Sequence, residues 1–300
     1  MSSTLETAEG TVRGPGALLG LEPPRAKSAI VTIFGDSILP RGGACWLSEL
    51  IGLMADLGLN ERVVRTAVFR LVQDGVLSAE RIGRRSRYAM TDYGRRQFVA
   101  AASRIYAAAP PDRDGRWTLT VLPDDLTAMQ RERLERELVW LGFAKLTGGL
   151  MGSARGDLAN PAQAVVTDAG LSGRCPVFTA DPKDEEALAT LAARAWNLDT
   201  LGAGYRDFVS RFEGVTTAPP ARGRDAFVIR TLLIHTYRRA LLRDPVLPRS
   251  LLPDNWPGDT ARRLAARLYR SLAQETESYL DSVLSDAADA DIHAARYAES

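Results

Sequence analysis

Apolar positions recur at helical spacing in one short stretch that sets the reading of the whole chain. Val64, Ala67, Val68, Leu71 and Val72 stand at i, i+3, i+4, i+7 and i+8. That spacing predicts a helix with one apolar stripe, opened by Asn60 and stopped by Asp74-Gly75. Its other face carries Glu61, Arg62, Arg65, Thr66, Phe69 and Arg70. The pattern then changes. Val76-Leu77 starts a strand, Arg81, Gly83, Arg84, Arg85 and Arg87 follow, and Tyr88-Ala89-Met90 ends a second strand. A glycine inside the basic run is what the tip of a hairpin requires.

Upstream, the apolar run from Ala29 to Phe34 has no decisive period. It is assigned to a helix over 28–39, because the two later helices need a third behind them. Pro40-Arg41-Gly42-Gly43 reads as a turn, and 46–54 as a helix with Trp46, Leu50, Leu53 and Met54 on one side. Gly58 ends that helix and leaves room for only a tight turn before Asn60.

Downstream, 95–108 reads as a helix closed by Pro110-Pro111. A strand is expected at 117–122, followed by a helix over 124–141. Asp124 and Asp125 would cap that helix, and Leu126, Met129, Leu134, Leu138 and Leu141 would be buried. Short strands at 142–146 and 149–151 flank Gly148-Gly149. A helix to about residue 169 would use Asn160 as cap and Pro161 as first position, and a strand follows at 176–180. The order β-α-β-β-α-β is that of a ferredoxin-like unit. Helices over 184–197, 201–212, 224–243 and 259–285 complete the chain. Pro219-Pro220 breaks the series, and a Pro-rich link spans 244–258.

Charge gives the first of these segments its chemistry. From Asn60 to Arg96 there are nine Arg, no Lys and four acids, a local charge of +5 in a chain whose total is +1. Guanidinium groups suit bidentate contacts to phosphate and to guanine edges. An Arg-studded helix followed by an Arg-tipped hairpin is the pattern of a winged helix-turn-helix, with the helix in the major groove and the wing on the flanking backbone. The DNA-contacting residues expected are Arg62, Arg65, Thr66, Phe69, Arg70, Arg84, Arg85 and Arg87.

Composition bounds the alternatives. The 300 residues allow two or three domains, and 45% hydrophobic with 25% charged residues is ordinary for a soluble protein. No apolar run approaches the roughly 20 residues of a membrane span, and no signal peptide is recognised. Cys45 and Cys175 are the only cysteines and His235 and His293 the only histidines. A zinc site or a His-based triad has almost nothing to draw on, and the expected location is the cytoplasm.

Three stretches resemble the phenylacetate-degradation repressor family, PaaX, over roughly residues 27 to 275. The first is Phe34-Gly35-Asp36 with Gly58-Leu59, Val64-Arg65-Thr66-Ala67-Val68 and Arg70-Leu71. The second runs from Gly83 to Tyr88, with Thr91 and Gly94. The third is the most specific: His235, Arg238-Arg239, Leu242-Arg243-Asp244-Pro245, Leu247-Pro248, Leu251-Leu252-Pro253 and Trp256-Pro257-Gly258. The recognition helix alone also resembles GntR-type regulators.

The family resemblance implies an N-terminal winged helix, a middle domain similar to Cas2 and a helical C-terminal domain. It also implies a repressor of an aromatic catabolic operon that leaves DNA when phenylacetyl-CoA or a related acyl-CoA binds. The expected fold is thus α+β and multidomain. Residues 1–26 form a disordered tail, 27–96 the winged helix-turn-helix, 97–112 a connector helix, 113–182 the ferredoxin-like (Cas2-like) domain, 183–285 the helical domain and 286–300 a flexible tail. The expected partners are double-stranded operator DNA, a second copy of the chain and the aryl-CoA effector. No cofactor, metal or catalytic residue is expected.

For the effector, His235, Arg238, Arg239, Arg243 and Trp256 are the candidates. Each also has a plain structural role: His235 as a hydrogen-bonded core residue, the arginines as a solvated face, and Trp256 as a packing anchor. The alternative function is a metal-dependent nucleic-acid-processing protein built on the middle domain. Such a site needs a carboxylate at the end of the first strand, and 117–122 contains no acid.

Overall fold

The computed structural model describes residues 20–107, 109, 115–216, 221–285 and 296–297. Most of both expected tails and the breaks at Pro110-Pro111 and Pro219-Pro220 lie outside the described residues. The chain divides into two compact units. One comprises Met1–Ala102, Arg211–His235 and Ala265–Arg296, and the other Ser103–Ser210, Thr236–Leu264 and Tyr297–Ser300.

The first unit opens with helix α1 (Ala26–Ile33), which buries Ala26, Ala29, Ile30 and Ile33 at helical spacing. It continues into a π-helical turn, Phe34–Ile38, and a 3-10 turn, Leu39–Arg41, ended by Gly42 at φ 83°. Every residue of the π turn is buried, and one of them is Asp36. A Cβ on Gly35 would lie 1.7 Å from the Phe98 ring, so only glycine fits there.

Strand β1 (Ala44–Trp46) comes next, then helix α2 (Leu47–Asp56). The sequence pattern placed Trp46 inside a helix, whereas here it ends a strand. Three residues are too few to show a period of two, and the strand's partner lies more than forty positions on: Ala44 pairs with Ala89 and Trp46 with Arg87. The Trp46 N–H donates to the Glu49 carboxylate at 2.9 Å, which caps α2.

Helix α3 (Glu61–Gln73) is capped by Asn60, whose Oδ1 accepts from the Val63 N–H at 3.0 Å. Val64, Ala67, Val68 and Leu71 are buried, and Gly75 at φ 69° follows the helix end. Strands β2 (Leu77–Ile82) and β3 (Arg85–Met90) pair antiparallel, with Ile82 opposite Arg85 across a two-residue turn at Gly83, φ 62°. The sheet order is β1-β3-β2. Helix α4 (Asp92–Ile105) follows.

Two later segments complete this unit: parts of helices α9 (Gly223–Leu241) and α10 (Pro257–Val283). A buried ion network binds them to the π turn. Arg230 donates to Asp36 at 3.0 Å and to Glu277 at 2.6 Å. Arg296 donates to Asp36 at 3.0 Å, and the Tyr269 hydroxyl does so at 3.1 Å. Arg41 is buried against Glu277 and Asp281, at 2.6 and 2.7 Å. Burial alone disfavours the Arg230 charge, but Asp36, Tyr269 and Glu277 outweigh it and hold its pKa above the ordinary value.

The second unit contains β4 (Trp117–Val121), α5 (Ala128–Leu141), β5 (Ala144–Thr147), β6 (Leu150–Ser153), α6 (Ala159–Asp168) and β7 (Val177–Ala180). The chain order is β-α-β-β-α-β, and the sheet order is β5-β6-β4-β7 with every neighbouring pair antiparallel. Leu134 and Leu138 of α5 and Ala162 and Val166 of α6 pack in its core with Leu122, Phe143 and Met151. Helices α7 (Glu185–Ala195) and α8 (Leu198–Phe212) lead towards α9.

Three local expectations are corrected here. Helix α5 starts at Ala128 and not at Asp124: Thr127 caps it, reciprocated by Gln130, while Asp125 pairs with Arg174 at 2.7 Å. Met129 is 78% exposed, because it lies about 140° round the helix from Leu134. Asn160 is not a cap, since the 3-10 turn Gly156–Leu158 runs directly into α6.

Candidate functional site

Helix α3 and the β2–β3 hairpin carry the residues that sequence reasoning selects for DNA. Burying Val64, Ala67, Val68 and Leu71 forces Arg62, Arg65, Thr66, Phe69 and Arg70 outward, and all five are exposed. Phe69 is 61% exposed in the middle of this basic face. A large ring in that position costs solubility and suits apolar contact with a thymine methyl group.

The arginines of the face are not equivalent. Arg65 is held along the helix by Glu61, at 2.7 and 2.8 Å. Both partners are more than half exposed, so the pair contributes only about 0.3–0.5 kcal/mol and yields readily to a stronger acceptor. Arg62 and Arg70 form no ion pair among the described residues.

The hairpin shows the same division. Arg84 sits exposed at the turn, and Arg81 is exposed on β2 with its Nε donating to the Gly83 carbonyl at 3.3 Å. Arg85 stacks on the Trp46 ring with its guanidinium carbon 3.8 Å from the ring centroid. Arg87 is half-buried opposite Glu80. Trp46 is therefore a platform that fixes one basic side chain, a role with no signal in its local sequence.

The residues proposed for an effector lie in different environments. His235 is buried in the first unit, and its Nδ1 is 3.1 Å from the Thr32 hydroxyl. In the second unit Arg239 and Arg243 are exposed, while Arg238 is largely buried and burial lowers its pKa. Trp256 is buried edge-on to Tyr205, with ring centroids 5.9 Å apart. Gly258 leaves the space this indole occupies, since a Cβ there would lie 2.4 Å from its Nε1.

Around that aromatic pair stands a polar cluster that sequence reasoning missed. Arg104, at the end of α4, donates to the main-chain carbonyls of Leu241 and Asp244. The Asp244 carboxylate accepts from the Tyr205 hydroxyl at 2.7 Å and from the Val246 N–H at 2.7 Å. Among the described residues Arg262 reaches only the Ala107 carbonyl, at 3.4 Å. Burial lowers the Arg104 pKa; Asp244 opposes this, and Arg155 and Arg262 add to it. Burial also raises the Tyr237 hydroxyl to about 12, with Arg262 and Arg104 opposing the rise and Asp244 adding to it. Among the described residues no group of His, Cys, Asp and Glu stands where it could hold a metal ion, and no helix is long and apolar enough to cross a membrane.

Comparison with known proteins places these features. The model of the PaaX-like protein family matches residues 25–94, which hold α1 to β3, and the model of the PaaX-like protein C-terminal domain matches residues 196–282. Over 262 residues the chain is 39% identical to the transcriptional repressor PaaX of Escherichia coli strain K12, covering 84% of this chain and 81% of that protein. The chain belongs to the PaaX-like family. This PaaX-like chain also shares its fold with an uncharacterized protein, Rv0674 from Mycobacterium tuberculosis. The TM-score is 0.50 at 24% identity, over 79% of this chain and 90% of that one. The family match joins the basic face of α3 and the later helices in one inherited architecture.

Proposed function

We propose that the protein is a transcriptional repressor that binds double-stranded operator DNA through α3 and the β2–β3 hairpin. The observation that carries this is the exposed Arg62–Arg70 face beside an arginine-tipped hairpin, in a chain whose relative is a transcriptional repressor. In this reading residues 27–96 are a winged helix-turn-helix. Helix α3 enters the major groove, and Arg84, Arg85 and Arg87 rest on the backbone. The four-stranded unit over 113–182 is a ferredoxin-like, Cas2-like domain, and its strand order and antiparallel pairing support that description.

The protein acts in the cytoplasm as a homodimer, because one head reads too few base pairs for a specific operator, and the operator is a pseudo-palindrome. The operon is one for aromatic, phenylacetate-type catabolism, and an aryl-CoA such as phenylacetyl-CoA releases the repressor. A nuclease built on the middle unit finds no acid on β4, and Asp125 is engaged by Arg174. Titrating phenylacetyl-CoA into a fluorescent complex of protein and its own promoter DNA tests the release step. Dissociation at micromolar ligand is expected, and a complex that survives every acyl-CoA refutes the effector.

A further inference from the structure

We propose that Arg104, Arg262 and Tyr237 form a binding site in the second unit for one anionic, oxygen-rich group, a phosphate or a carboxylate. In the effector reading above, this is where an acidic group of the effector is held. To that extent the assignment rests on that reading; the existence of the site does not.

Buried guanidinium groups in the first unit are balanced by carboxylates. In the first unit Arg230 has Asp36 and Glu277, and Arg41 has Glu277 and Asp281. Taking a charge out of water is costly unless an opposite charge compensates it, so this pairing is the expected arrangement. Arg104 and Arg262 depart from it. Neither forms a salt bridge among the described residues, and each has only main-chain carbonyls as acceptors. Asp244 is the nearby acid, and its two oxygens already accept from Tyr205 and Val246.

What remains is a set of donors with no acceptors. Among the described residues the Nε of Arg104 and the Nε of Arg262 are buried without a hydrogen-bond partner, and so is the Tyr237 hydroxyl. Arg262 is only 8% exposed and Tyr237 is 0% exposed. Arg104 donates to the carbonyl of Leu241, one turn along α9 from Tyr237, and Arg262 donates to the carbonyl of Ala107, three residues on from Arg104. Guanidinium nitrogens donate only, and a phenol can donate. Such a set complements a ligand whose oxygens only accept, and an anion also supplies the missing charge. A neutral water would fill the hydrogen bonds and leave Asp244 as the nearby acid for two guanidinium groups.

The test is calorimetric titration of the full chain at constant ionic strength with inorganic pyrophosphate and, separately, with acetate. Chloride serves as the control for general salt effects. Saturable binding of either anion is expected, and which one binds tells a phosphate ligand from a carboxylate ligand. Arg262→Met should weaken it tenfold or more. Tyr237→Phe, which removes one hydroxyl and keeps the ring, should weaken it severalfold, with circular dichroism reporting that the variant is folded. Absence of saturable binding to either anion overturns the site even where an acyl-CoA releases DNA, and leaves a buried water as the occupant. Equal binding by wild type and Tyr237→Phe also overturns it. Saturable, Tyr237-dependent binding with no release by any acyl-CoA upholds the site and refutes the effector reading instead.

Discussion

Asn in place of Asp36 would test how the first unit is held together. Asp36 is buried in the π turn and accepts from Arg230, Arg296 and Tyr269 at 3.0, 3.0 and 3.1 Å. Asp36→Asn keeps the size and one acceptor oxygen but removes the charge. Arg230, at 0% exposure, would then rely on Glu277 alone. Breaking a buried pair from one side costs about 3–5 kcal/mol, and the remaining carboxylate puts this case near about 3. That is a large part of the roughly 5–15 kcal/mol that holds a domain folded. Hydrogen exchange of peptides from α1 and α9 measures the opening free energy of this unit directly, without assuming a single unfolding step for the chain. Their protection should fall together. The double variant Asp36→Leu, Arg230→Met removes both charges and leaves Glu277 its contact with Arg41. It should recover part of the loss and not all of it, because Arg296 and the Tyr269 hydroxyl still lose Asp36 as acceptor. A cost below about 1 kcal/mol for Asp36→Asn, or loss confined to α1, would show that the buried carboxylate does not hold the unit together.

Other consequences are more local. Arg65→Ala should cost about 1–3 kcal/mol of operator affinity and relax preference at one base pair, whereas Arg84→Ala should weaken all sequences alike and lower the salt slope by about one; identical behaviour in a sequence-by-salt binding matrix would refute the division between helix and hairpin. Gly35→Ala should destabilise the first unit by about 1–3 kcal/mol through collision with Phe98, and adding Phe98→Leu should recover part of this in a urea melt. The Tyr269 hydroxyl is raised to about 12, by burial first and Asp36 second. A folded pKa above the unfolded value near 10 gives stability that is complete below pH 10 and lost as pH rises towards 12, about 2–3 kcal/mol in all. Tyr269→Phe should flatten that alkaline limb in stability measured against pH.

The parts of the molecule legible in the sequence are those whose signals are local. Helix α3 and its hairpin declare themselves because the stripe, the Asn60 cap and the Gly83 turn lie within about thirty residues. Strand β1 does not, because its evidence is the pairing with β3. Met129 shows how an apolar residue in a helix is misplaced when it is counted into a stripe that it does not share, here about 140° round the helix from Leu134. Buried charge is harder still. Arg230 stands in an apolar run from Ala226 to Ile234, which is a usable hint, but nothing near Arg104 or Arg262 distinguishes a buried arginine from a solvated one. The interactions that decide it come from residues more than a hundred positions away. His235 is the reverse case: its sequence neighbourhood invites a ligand role, and its observed partner is Thr32 in the core.

Operator recognition is measured by fluorescence anisotropy of the full chain on its own promoter DNA and on an unrelated duplex, at one stated salt concentration. Promoter binding should be at least about a thousandfold tighter than binding to the unrelated duplex, and the double variant Arg62→Ala, Arg70→Ala should lose that preference. Equal affinity for the two duplexes, or a preference unaffected by the double substitution, would contradict operator recognition through α3.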